Sequence, residues 1–316
     1  MNNKKIVFLD AKSVGDDINL EKFKDFGDLV LYDFSSPGEI PDRVKDADII
    51  ITNKCKMDRA TLGEAKKLKL ICVTATGTNN LDKDFLDSKN IAWRNVAGYS
   101  TETVAQHTFA MLFYLLERLS YYDAYVKDEK YVNDTLFTHF ANHFHQLCDM
   151  KWGVIGLGAI GERVYNIAKT FGCDMCYYST SGRNSKEGYN RVEFDELLKT
   201  CDIVSVHAPL NEATEGLMNA DAFKKMKKNA IFINVGRGPI VDEKALYDAL
   251  VNNEIYGAGL DVLSVEPMRE DNPLVKFKDS TRLIITPHIA WASVEARINL
   301  MNIIYDQIKE YISADE

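Results

Sequence analysis

The stretch Lys151-Trp-Gly-Val-Ile-Gly156-Leu-Gly158-Ala-Ile-Gly161-Glu-Arg-Val joins an apolar run to a helical pattern that continues to Phe171. In such a unit, Gly156 permits a tight turn, Gly158 lets the backbone approach a pyrophosphate, and Gly161 allows close packing of helix against strand. The free N–H groups at the start of the helix favour the phosphates of a ligand. The stretch therefore predicts a strand–turn–helix unit that binds a dinucleotide.

Short apolar runs alternate with longer amphipathic stretches along the rest of the chain. Near-continuous apolar runs are typical of parallel strands that helices cover on both faces, so the alternation predicts an α/β fold. The runs assigned as strands are residues 6–9, 29–32, 49–52, 70–74, 153–156, 175–178, 203–207, 230–235, 259–262 and 283–286.

The alternation occurs twice, before about residue 98 and after about residue 150. Two such sets fit a length of 316 residues at roughly 150 residues per domain. One long helix is predicted between the sets, over residues 100–125, where Ser100 and Thr101 are suitable N-terminal caps. Another is predicted at the C-terminus, over residues 291–312.

Composition and charge exclude several classes of protein. With 46% hydrophobic and 27% charged residues, the chain is neither disordered nor fibrous. A net charge of −9 disfavours general binding to nucleic acid or to an anionic membrane. Six cysteines are too few for a disulfide framework and fit a reducing compartment. The longest apolar stretch, residues 109–116, is too short to span a bilayer, and the N-terminus lacks a signal-peptide core, so a cytoplasmic protein is expected.

Three polar residues lie just beyond predicted strands in the second half of the chain: Arg237, Glu266 and His288. Open α/β sheets bind their ligands at the carboxyl ends of parallel strands. An arginine, a glutamate and a histidine at three successive ends, with a dinucleotide motif upstream, form a sensible set for hydride transfer. The sequence therefore predicts an oxidoreductase site at this edge of the sheet.

The acidic residue that usually marks an NAD site is missing. It is expected about 20 residues after the glycine motif, at the end of the next strand, where it binds the ribose 2′-hydroxyl. Here the predicted strand is followed by Ser179-Thr-Ser-Gly-Arg183. Ser179 does not repel a 2′-phosphate, and Arg183 can pair with one. NAD(H) and NADP(H) both remain open as cofactors.

With these motifs, the sequence resembles the D-isomer-specific 2-hydroxyacid dehydrogenase family over essentially its whole length. The resemblance includes Ala75-Thr-Gly-Thr-Asn-Asn-Leu-Asp82, Asn95-Val-Ala-Gly-Tyr-Ser-Thr-Glu-Thr-Val-Ala-Gln-His107, the glycine motif and the three polar segments. Residues 97–107 and 287–292 most resemble the glycerate dehydrogenase/hydroxypyruvate reductase branch.

The resemblance implies a mechanism that suits the residue chemistry. Arg237 is expected to grip the substrate carboxylate with its planar guanidinium. His288 is expected to exchange a proton with the 2-hydroxyl or 2-keto oxygen, since histidine gains and loses a proton near neutral pH. Glu266 is expected to bind the imidazole and favour its protonated form. The reaction implied is hydride transfer between NAD(P)H and a small 2-ketoacid, giving a D-2-hydroxy acid; hydroxypyruvate and glyoxylate are the favoured substrates.

The other site residues are carried over from the family, position by position. The residues expected to bind substrate are Thr76, Gly77, Arg237, His288 and Trp291. The residues expected to bind the cofactor are Thr76, Thr103, Gly156, Gly158, Ala159, Ile160, Gly161, Ser179, Arg183, His207, Ala208, Val235, Gly236, Arg237, Asp261 and His288.

The resemblance also implies the domain organisation. We expect two Rossmann-like, doubly wound parallel-sheet domains with the active site in the cleft between them. Residues 1–98 plus 292–316 are predicted to form the substrate (catalytic) domain, and residues 99–291 the NAD(P)-binding domain. A homodimer built through the helix at residues 100–125 and nearby segments is expected.

Two other functions remain possible on the same scaffold. One is a D-lactate dehydrogenase or a branched-chain 2-ketoacid reductase. The other is a dinucleotide-sensing corepressor that binds protein partners, because such proteins can keep the arginine, glutamate and histidine.

Several residues resemble functional sites without the expected context. Cys173 and Cys176 form a CxxC pair, but no second pair follows, and the predicted strand places them on opposite faces. His139 and His143 are predicted to share a helix face, and with His145 they suit a surface or a subunit contact. His107 is expected to be a helix residue near the interdomain hinge. We therefore predict no metal site.

Overall fold

The computed structural model describes residues 4–183 and 185–315. The chain divides into two compact units. One unit contains the residues up to Ser100 together with those from Ala292 onward, and the other is Thr101–Trp291. Each unit is built on one parallel sheet with helices, which confirms the predicted α/β fold class.

The sheet of the first unit has the strand order β2-β1-β3-β4-β5, with all pairs parallel. Its strands are β1 (Lys4–Phe8), β2 (Gly27–Leu31), β3 (Ile49–Thr52), β4 (Leu70–Val73) and β5 (Ala92–Arg94). The helices between them are α1 (Ile40–Val44), α2 (Arg59–Leu62) and α3 (Lys83–Ser88). Asp58 and Asp82 accept backbone N–H groups at the starts of α2 and α3, so these short helices begin where a side chain caps them.

The second unit begins with two helices and continues as an alternating strand–helix sheet. Its helices are α4 (Thr101–Leu116), α5 (Leu119–Lys127), α6 (Ala159–Thr170), α7 (Phe194–Thr200), α8 (Ala220–Lys225) and α9 (Glu243–Val251). Its strands are β6 (Lys151–Ile155), β7 (Asp174–Tyr178), β8 (Ile203–Val206), β9 (Ile231–Asn234), β10 (Gly257–Leu260) and β11 (Leu283–Ile285). The last helix, α10 (Val294–Asp315), belongs to the first unit. Short 3₁₀ helices span Ala11–Val14, Glu21–Phe26, Tyr131–Asn133, Leu147–Asp149, Gly238–Ile240 and Pro273–Lys276.

The register of the second sheet brings the strand ends into one row. The strand order is β11-β10-β9-β8-β6-β7, with all pairs parallel. The residues paired across this row are Tyr178, Ile155, Val206, Asn234, Leu260 and Ile285. The chain turns from β6 to β7 on one side and continues from β8 on the other, so a topological switch point lies between β6 and β8. The loops that follow the row therefore meet along one edge.

Side chains on both faces of this sheet are buried. Val204 and Phe232 belong to one apolar cluster, whereas Ile203, Ile231 and Ile233 belong to another. Alternation between two clusters explains why apolar residues occupy adjacent positions in these strands instead of every second one.

The predicted single helix over residues 100–125 is wrong. The structure has two helices, α4 and α5, separated at Arg118, whose φ of 57° is left-handed. The Arg118 guanidinium lies 3.4 Å from the ring centroid of Tyr256. The segment contains no glycine or proline, so its local sequence carries no signal for the break.

The helix predicted to carry His139 and His143 is also wrong. Residues 134–146 are irregular, and hydroxyls from α5 organise them. The Tyr121 hydroxyl lies 2.9 Å from Nε2 of His139, and the Tyr122 hydroxyl donates to the carbonyl of Asn142. These histidines thus lie on an irregular segment rather than on one helix face.

Two smaller differences concern individual elements. The C-terminal helix begins at Val294 rather than at residue 291, because the Ser293 hydroxyl accepts the N–H of Ala296 and caps it. The three-residue edge strand β5 was not predicted from the sequence. Within residues 4–183 and 185–315, no helix is both long enough and apolar enough to cross a membrane.

Candidate active site

The glycine motif forms the turn between β6 and α6. Gly156 has a φ of +93°, and a Cβ there would lie 2.9 Å from the backbone of Ala208. A Cβ on Gly161 would lie 2.1 Å from the carbonyl oxygen of Gly156, so this glycine allows helix and strand to touch. A Cβ on Gly158 would meet nothing within 4 Å in the described structure. The first and third glycines are thus required by packing, whereas the second faces open space.

The start of α6 is available to an anion. Gly158 is the N-cap residue, and among the described residues no side chain caps the helix. Ala159 and Ile160 form the first turn. Uncapped N–H groups and the positive end of the helix dipole favour a phosphate group. This cradle fits the pyrophosphate of a dinucleotide.

Ser179 immediately follows β7, the strand next to β6, and is 3% exposed. Gly156 donates to the carbonyl of Tyr178 at 3.0 Å, so the end of β7 is tied to the glycine turn. Arg183 is exposed, four residues farther on. Both residues therefore lie on the loop beyond β7, where the ribose acid of NAD sites is usually found.

Three polar side chains are linked by hydrogen bonds at the end of β8. Nε1 of Trp152 donates to Oγ of Ser205 at 2.8 Å, and the same oxygen lies 3.0 Å from Nε2 of His207. Nδ1 of His207 is buried with no hydrogen-bond partner among the described residues. Burial lowers the pKa of His207 to about 3, so the ring is neutral near pH 7. His207 is thus a neutral polar residue directly before Ala208, whose backbone lies against the glycine turn.

Asn234, the last residue of β9, shapes the loop that carries Arg237. Its Oδ1 accepts the N–H of Gly236, and its Nδ2 donates to the carbonyl of Arg237, each at 3.0 Å. Val235 is buried within the loop. The Arg237 guanidinium donates to the carbonyl of Gly236 at 2.7 Å, and no carboxylate among the described residues pairs with it. The guanidinium is therefore left to bind an anion.

The loop beyond Arg237 packs against the segment that leads to Glu266. A Cβ on Gly238 would lie 1.9 Å from the carbonyl carbon of Leu263. Oε1 of Glu266 accepts the backbone N–H of Leu263 at 3.0 Å, and Oε2 lies 2.7 Å from Nδ1 of His288. Glu266 and His288, which are separated by 22 residues in sequence, therefore form a pair beyond β10 and β11.

Asp261 supports the backbone on either side of His288. Its side chain, which is 1% exposed, accepts the N–H groups of Ile289 and Ala290 at 2.8 Å each. Its carbonyl accepts the N–H of His288 at 2.9 Å. His288 has a φ of 56°, a left-handed conformation that a non-glycine residue keeps only where its neighbours impose it. Asp261 is therefore a scaffold for the loop that carries the imidazole.

The remaining predicted site residues are spread over both units. Thr76 and Gly77 follow β4 in the first unit, where the Thr76 hydroxyl donates to the carbonyl of Val96 at 2.9 Å. In the second unit, Thr103 lies in the first turn of α4 and Trp291 packs against an apolar cluster. Among the described residues, no group of three or more His, Cys, Asp or Glu side chains is placed to hold a metal ion.

Three residues have structural roles in this region that the sequence motifs did not predict: Asn234, Thr286 and His107. The role of Asn234 could have been predicted from its position, because it directly precedes the Val-Gly-Arg segment. The Thr286 hydroxyl donates to Oδ1 of Asp261 at 2.6 Å, and Nε2 of His107 lies 3.0 Å from the same hydroxyl. His107 and Thr286 are 179 residues apart, so no local pattern could have linked them.

A family model for the D-isomer specific 2-hydroxyacid dehydrogenase NAD binding domain matches residues 109–290, which is more than half of the chain. The chain belongs to the D-isomer-specific 2-hydroxyacid dehydrogenase family. It is an NAD(P)-dependent oxidoreductase, which confirms the predicted family and enzyme class.

Full-length relatives narrow the branch. The hydroxypyruvate reductase of Blautia hydrogenotrophica is 33% identical over 314 residues, covering 98% of this chain and 97% of the relative. The glycerate dehydrogenase of Methylorubrum extorquens is 33% identical over 312 residues, covering 98% and 96%. These similarities confirm the predicted resemblance to the glycerate dehydrogenase/hydroxypyruvate reductase branch of the D-2-hydroxyacid dehydrogenases.

A solved structure extends the comparison to the fold. An acyclic imino acid reductase, in complex with NADPH and D-Arg, has a TM-score of 0.86 and 28% sequence identity. The match covers 98% of this D-2-hydroxyacid dehydrogenase and 97% of that chain.

Proposed function

We propose that this D-2-hydroxyacid dehydrogenase reduces small 2-ketoacids, with hydroxypyruvate and glyoxylate as its preferred substrates. The observation that carries the proposal is the 2.7 Å pair between His288 and Glu266, beyond the same row of strand ends as the glycine turn. The names of the Blautia and Methylorubrum relatives support the substrate class. The products are the corresponding D-2-hydroxy acids.

The site fits NAD(H) or NADP(H), which supplies a hydride to C2 of the ketoacid. Residues of the glycine turn would hold its pyrophosphate, because Gly158 faces open space and the start of α6 lacks a side-chain cap. Ser179 and Arg183 would border its adenosine ribose. His207, Ala208, Val235, Gly236 and Asp261 would line the rest of its path, with Thr76 and Thr103. The absence of an acidic residue at Ser179 supports use of NADPH.

Arg237, Glu266 and His288 would act together on the substrate. Arg237, free of a carboxylate partner among the described residues, would hold the substrate carboxylate in a bidentate manner. Nδ1 of His288 is engaged by Glu266, so Nε2 is the ring nitrogen left to donate a proton to the keto oxygen. The negative charge of Glu266 stabilises the protonated imidazole until that transfer. Thr76, Gly77 and Trp291 would complete the substrate site.

We assign cofactor binding to one domain and substrate binding to the other. Residues 99–291 would form the NAD(P)-binding domain, because they contain the glycine turn and the region matched by the family model. Residues 1–98 plus 292–316 would form the substrate domain. In support of this, the Thr76–Gly77 loop follows β4 and is held by Asn95, whose side chain donates to the carbonyl of Thr76 at 2.7 Å.

The experiment is a panel of 2-ketoacids assayed with NADH and with NADPH. Hydroxypyruvate or glyoxylate is expected to give the highest kcat/KM, and His288→Gln to lower kcat by about 100-fold or more. The matched control is His145→Gln, since His145 is exposed and lies on the irregular segment after α5. Preference for pyruvate would replace the proposal with a D-lactate dehydrogenase. Cofactor binding without any turnover would favour the corepressor alternative.

We also infer a homodimer, with a second copy of this chain covering the apolar surface after α5. Large exposed side chains are concentrated there, including Val132 (79%), Phe137 (89%) and Phe140 (78%). Exposed apolar surface of this extent is typical of interfaces. Sedimentation of the wild type is expected to give twice the mass of one chain. The double variant Phe137→Ser/Phe140→Ser is expected to sediment with the mass of a single chain. Phe34→Ser is the control, because Phe34 is 71% exposed in the first unit.

A cytoplasmic location is the final element of the proposal. All six cysteines are free thiols, although Sγ atoms of Cys176 and Cys201 lie only 3.4 Å apart. Free thiols at such a distance suit a reducing compartment. Fractionation of the native host cell is expected to place the enzyme with cytoplasmic markers, and recovery with periplasmic or secreted markers would contradict this location.

A further inference from the structure

Thr286 lies between a histidine and an aspartate that come from distant parts of the chain. Its Oγ1 is 2.6 Å from Oδ1 of Asp261 and 3.0 Å from Nε2 of His107, on α4. His107 itself is 3.6 Å from the same Asp261 oxygen. Thr286 precedes His288 by two residues, so this contact joins α4 to the loop that carries the imidazole.

The donors and acceptors in this series of three side chains can be assigned by counting hydrogen atoms. A threonine hydroxyl has one hydrogen, and a carboxylate can only accept. Thr286 therefore donates to Asp261, and its oxygen must accept the hydrogen bond from His107. This requires a proton on Nε2 of His107. The direction of donation runs from His107 to Thr286 and on to Asp261, whose carboxylate also accepts the N–H groups of Ile289 and Ala290.

The surroundings of His107 favour a neutral ring. Burial lowers the pKa of His107, and the negative charge of Asp261 opposes this effect to a smaller extent. The neutral ring with its proton on Nε2 is therefore the form of His107 that we expect to donate to Thr286.

We infer that His107 is a positioning residue for the proposed proton donor His288 and that it acts through Thr286 and Asp261. By donating to Thr286, His107 sets the direction of the Thr286 hydroxyl. That hydroxyl holds one oxygen of Asp261, and Asp261 fixes the left-handed backbone at His288 through the next two residues. The inference rests on the proposed catalytic role of His288, but its structural part can be tested without cofactor or substrate.

The first test is NMR of the cofactor-free enzyme with ¹⁵N-labelled histidine. The signal missing from His107→Gln identifies His107 among the six histidines. A neutral ring with the proton on Nε2 is expected at pH 7. A proton on Nδ1 alone would reverse the donation and overturn the inference.

The second test is amide hydrogen exchange at Ile289 and Ala290. His107→Leu and Thr286→Val each remove one hydrogen-bonding group, and exchange at these two amides is expected to rise in both variants. In His107→Gln an amide N–H can take the place of Nε2–H, so slow exchange is expected to return. Gln106→Leu is the matched control, because Gln106 is an exposed neighbour on the same helix and should leave exchange unchanged. Unchanged exchange in His107→Leu would overturn the inference.

Kinetic measurements then test whether the backbone position of His288 affects the reaction. In His107→Leu, kcat is expected to fall roughly 10- to 100-fold with little change in KM or in cofactor affinity, because a misplaced proton donor slows chemistry more than binding. The double variant His107→Leu/Thr286→Val should lose no more than either single variant, since both act on one chain of contacts. Additive losses would contradict the link. If wild-type enzyme turns over no ketoacid, the proposed function fails, while the NMR and exchange tests still decide the positioning.

Discussion

Nδ1 of His288 lies 2.7 Å from Oε2 of Glu266, and the other carboxylate oxygen of Glu266 accepts the N–H of Leu263 at 3.0 Å. The carboxylate is thus held on both oxygens, and the imidazole is oriented by a group that is itself fixed. The two side chains are 25% and 32% exposed, so water screens their attraction and the pair adds little to stability. Its value lies in the orientation and charge that it gives to the imidazole.

Replacing the carboxylate by an amide tests this role of Glu266. Glu266→Gln keeps the shape and one acceptor but removes the charge that stabilises a protonated His288. Reduction of a 2-ketoacid is expected to slow about 10- to 100-fold, which corresponds to about 1.5–3 kcal/mol for a hydrogen bond to a charged group. Steady-state kcat is the measurement, and Glu270→Gln, at an exposed site nearby, is the control. A kcat equal to that of wild type would exclude the role.

The residue after β7 is expected to control the choice of cofactor. Ser179→Asp introduces the carboxylate that NAD sites use to bind the ribose 2′-hydroxyl, and its charge repels a 2′-phosphate. The ratio of Kd values for NADPH and NADH is expected to rise at least tenfold, as measured by fluorescence titration. Arg183→Ala should move the ratio in the same direction by a smaller amount. No change in either variant would show that the adenosine ribose binds elsewhere.

Much of the second unit could be predicted because its signals are local. The strands are short, mainly apolar runs such as Ile203–Val206, and burial on both faces favours that pattern. The glycine motif also predicts its local geometry. Gly156 takes a positive φ, and Gly161 lies in close contact with the backbone of Gly156. Arg237 could be found because it follows a buried strand at a sheet edge where ligands bind.

The features that escaped prediction depend on distant contacts. Arg118 takes a left-handed conformation while its guanidinium stacks on Tyr256, and neither residue signals the other in sequence. The contact of His107 with Thr286 likewise joins a helix to a loop 179 residues away. The edge strand β5 has three residues, too few for a periodic pattern.

His207 is expected to make the enzyme less stable as the pH falls. Burial holds its pKa at about 3 in the folded state, below the ordinary value of 6.5, so the unfolded chain binds the extra proton first. The stabilisation is therefore complete above pH 6.5 and is lost as the pH falls from there towards 3. Urea unfolding of wild type and His207→Gln between pH 7.5 and 4.5 measures this. Below pH 6.5 the wild-type free energy of unfolding should fall more steeply, by up to about 1.4 kcal/mol per pH unit. Parallel curves would contradict the buried neutral ring.

Two glycines of the same turn are expected to respond differently to a single added methyl group. At Gly161 the new Cβ would lie 2.1 Å from the Gly156 carbonyl oxygen, so Gly161→Ala should lower the free energy of unfolding by about 1–3 kcal/mol. At Gly158 the backbone is extended and the Cβ would meet nothing within 4 Å in the described structure, so Gly158→Ala should change stability by less than about 0.5 kcal/mol. The same methyl group occupies the space through which a pyrophosphate approaches the backbone, so Gly158→Ala should weaken NADH and NADPH binding at least tenfold. Urea unfolding and fluorescence titration separate the two effects. Full cofactor affinity in a stable Gly158→Ala enzyme would show that the pyrophosphate does not lie on this turn.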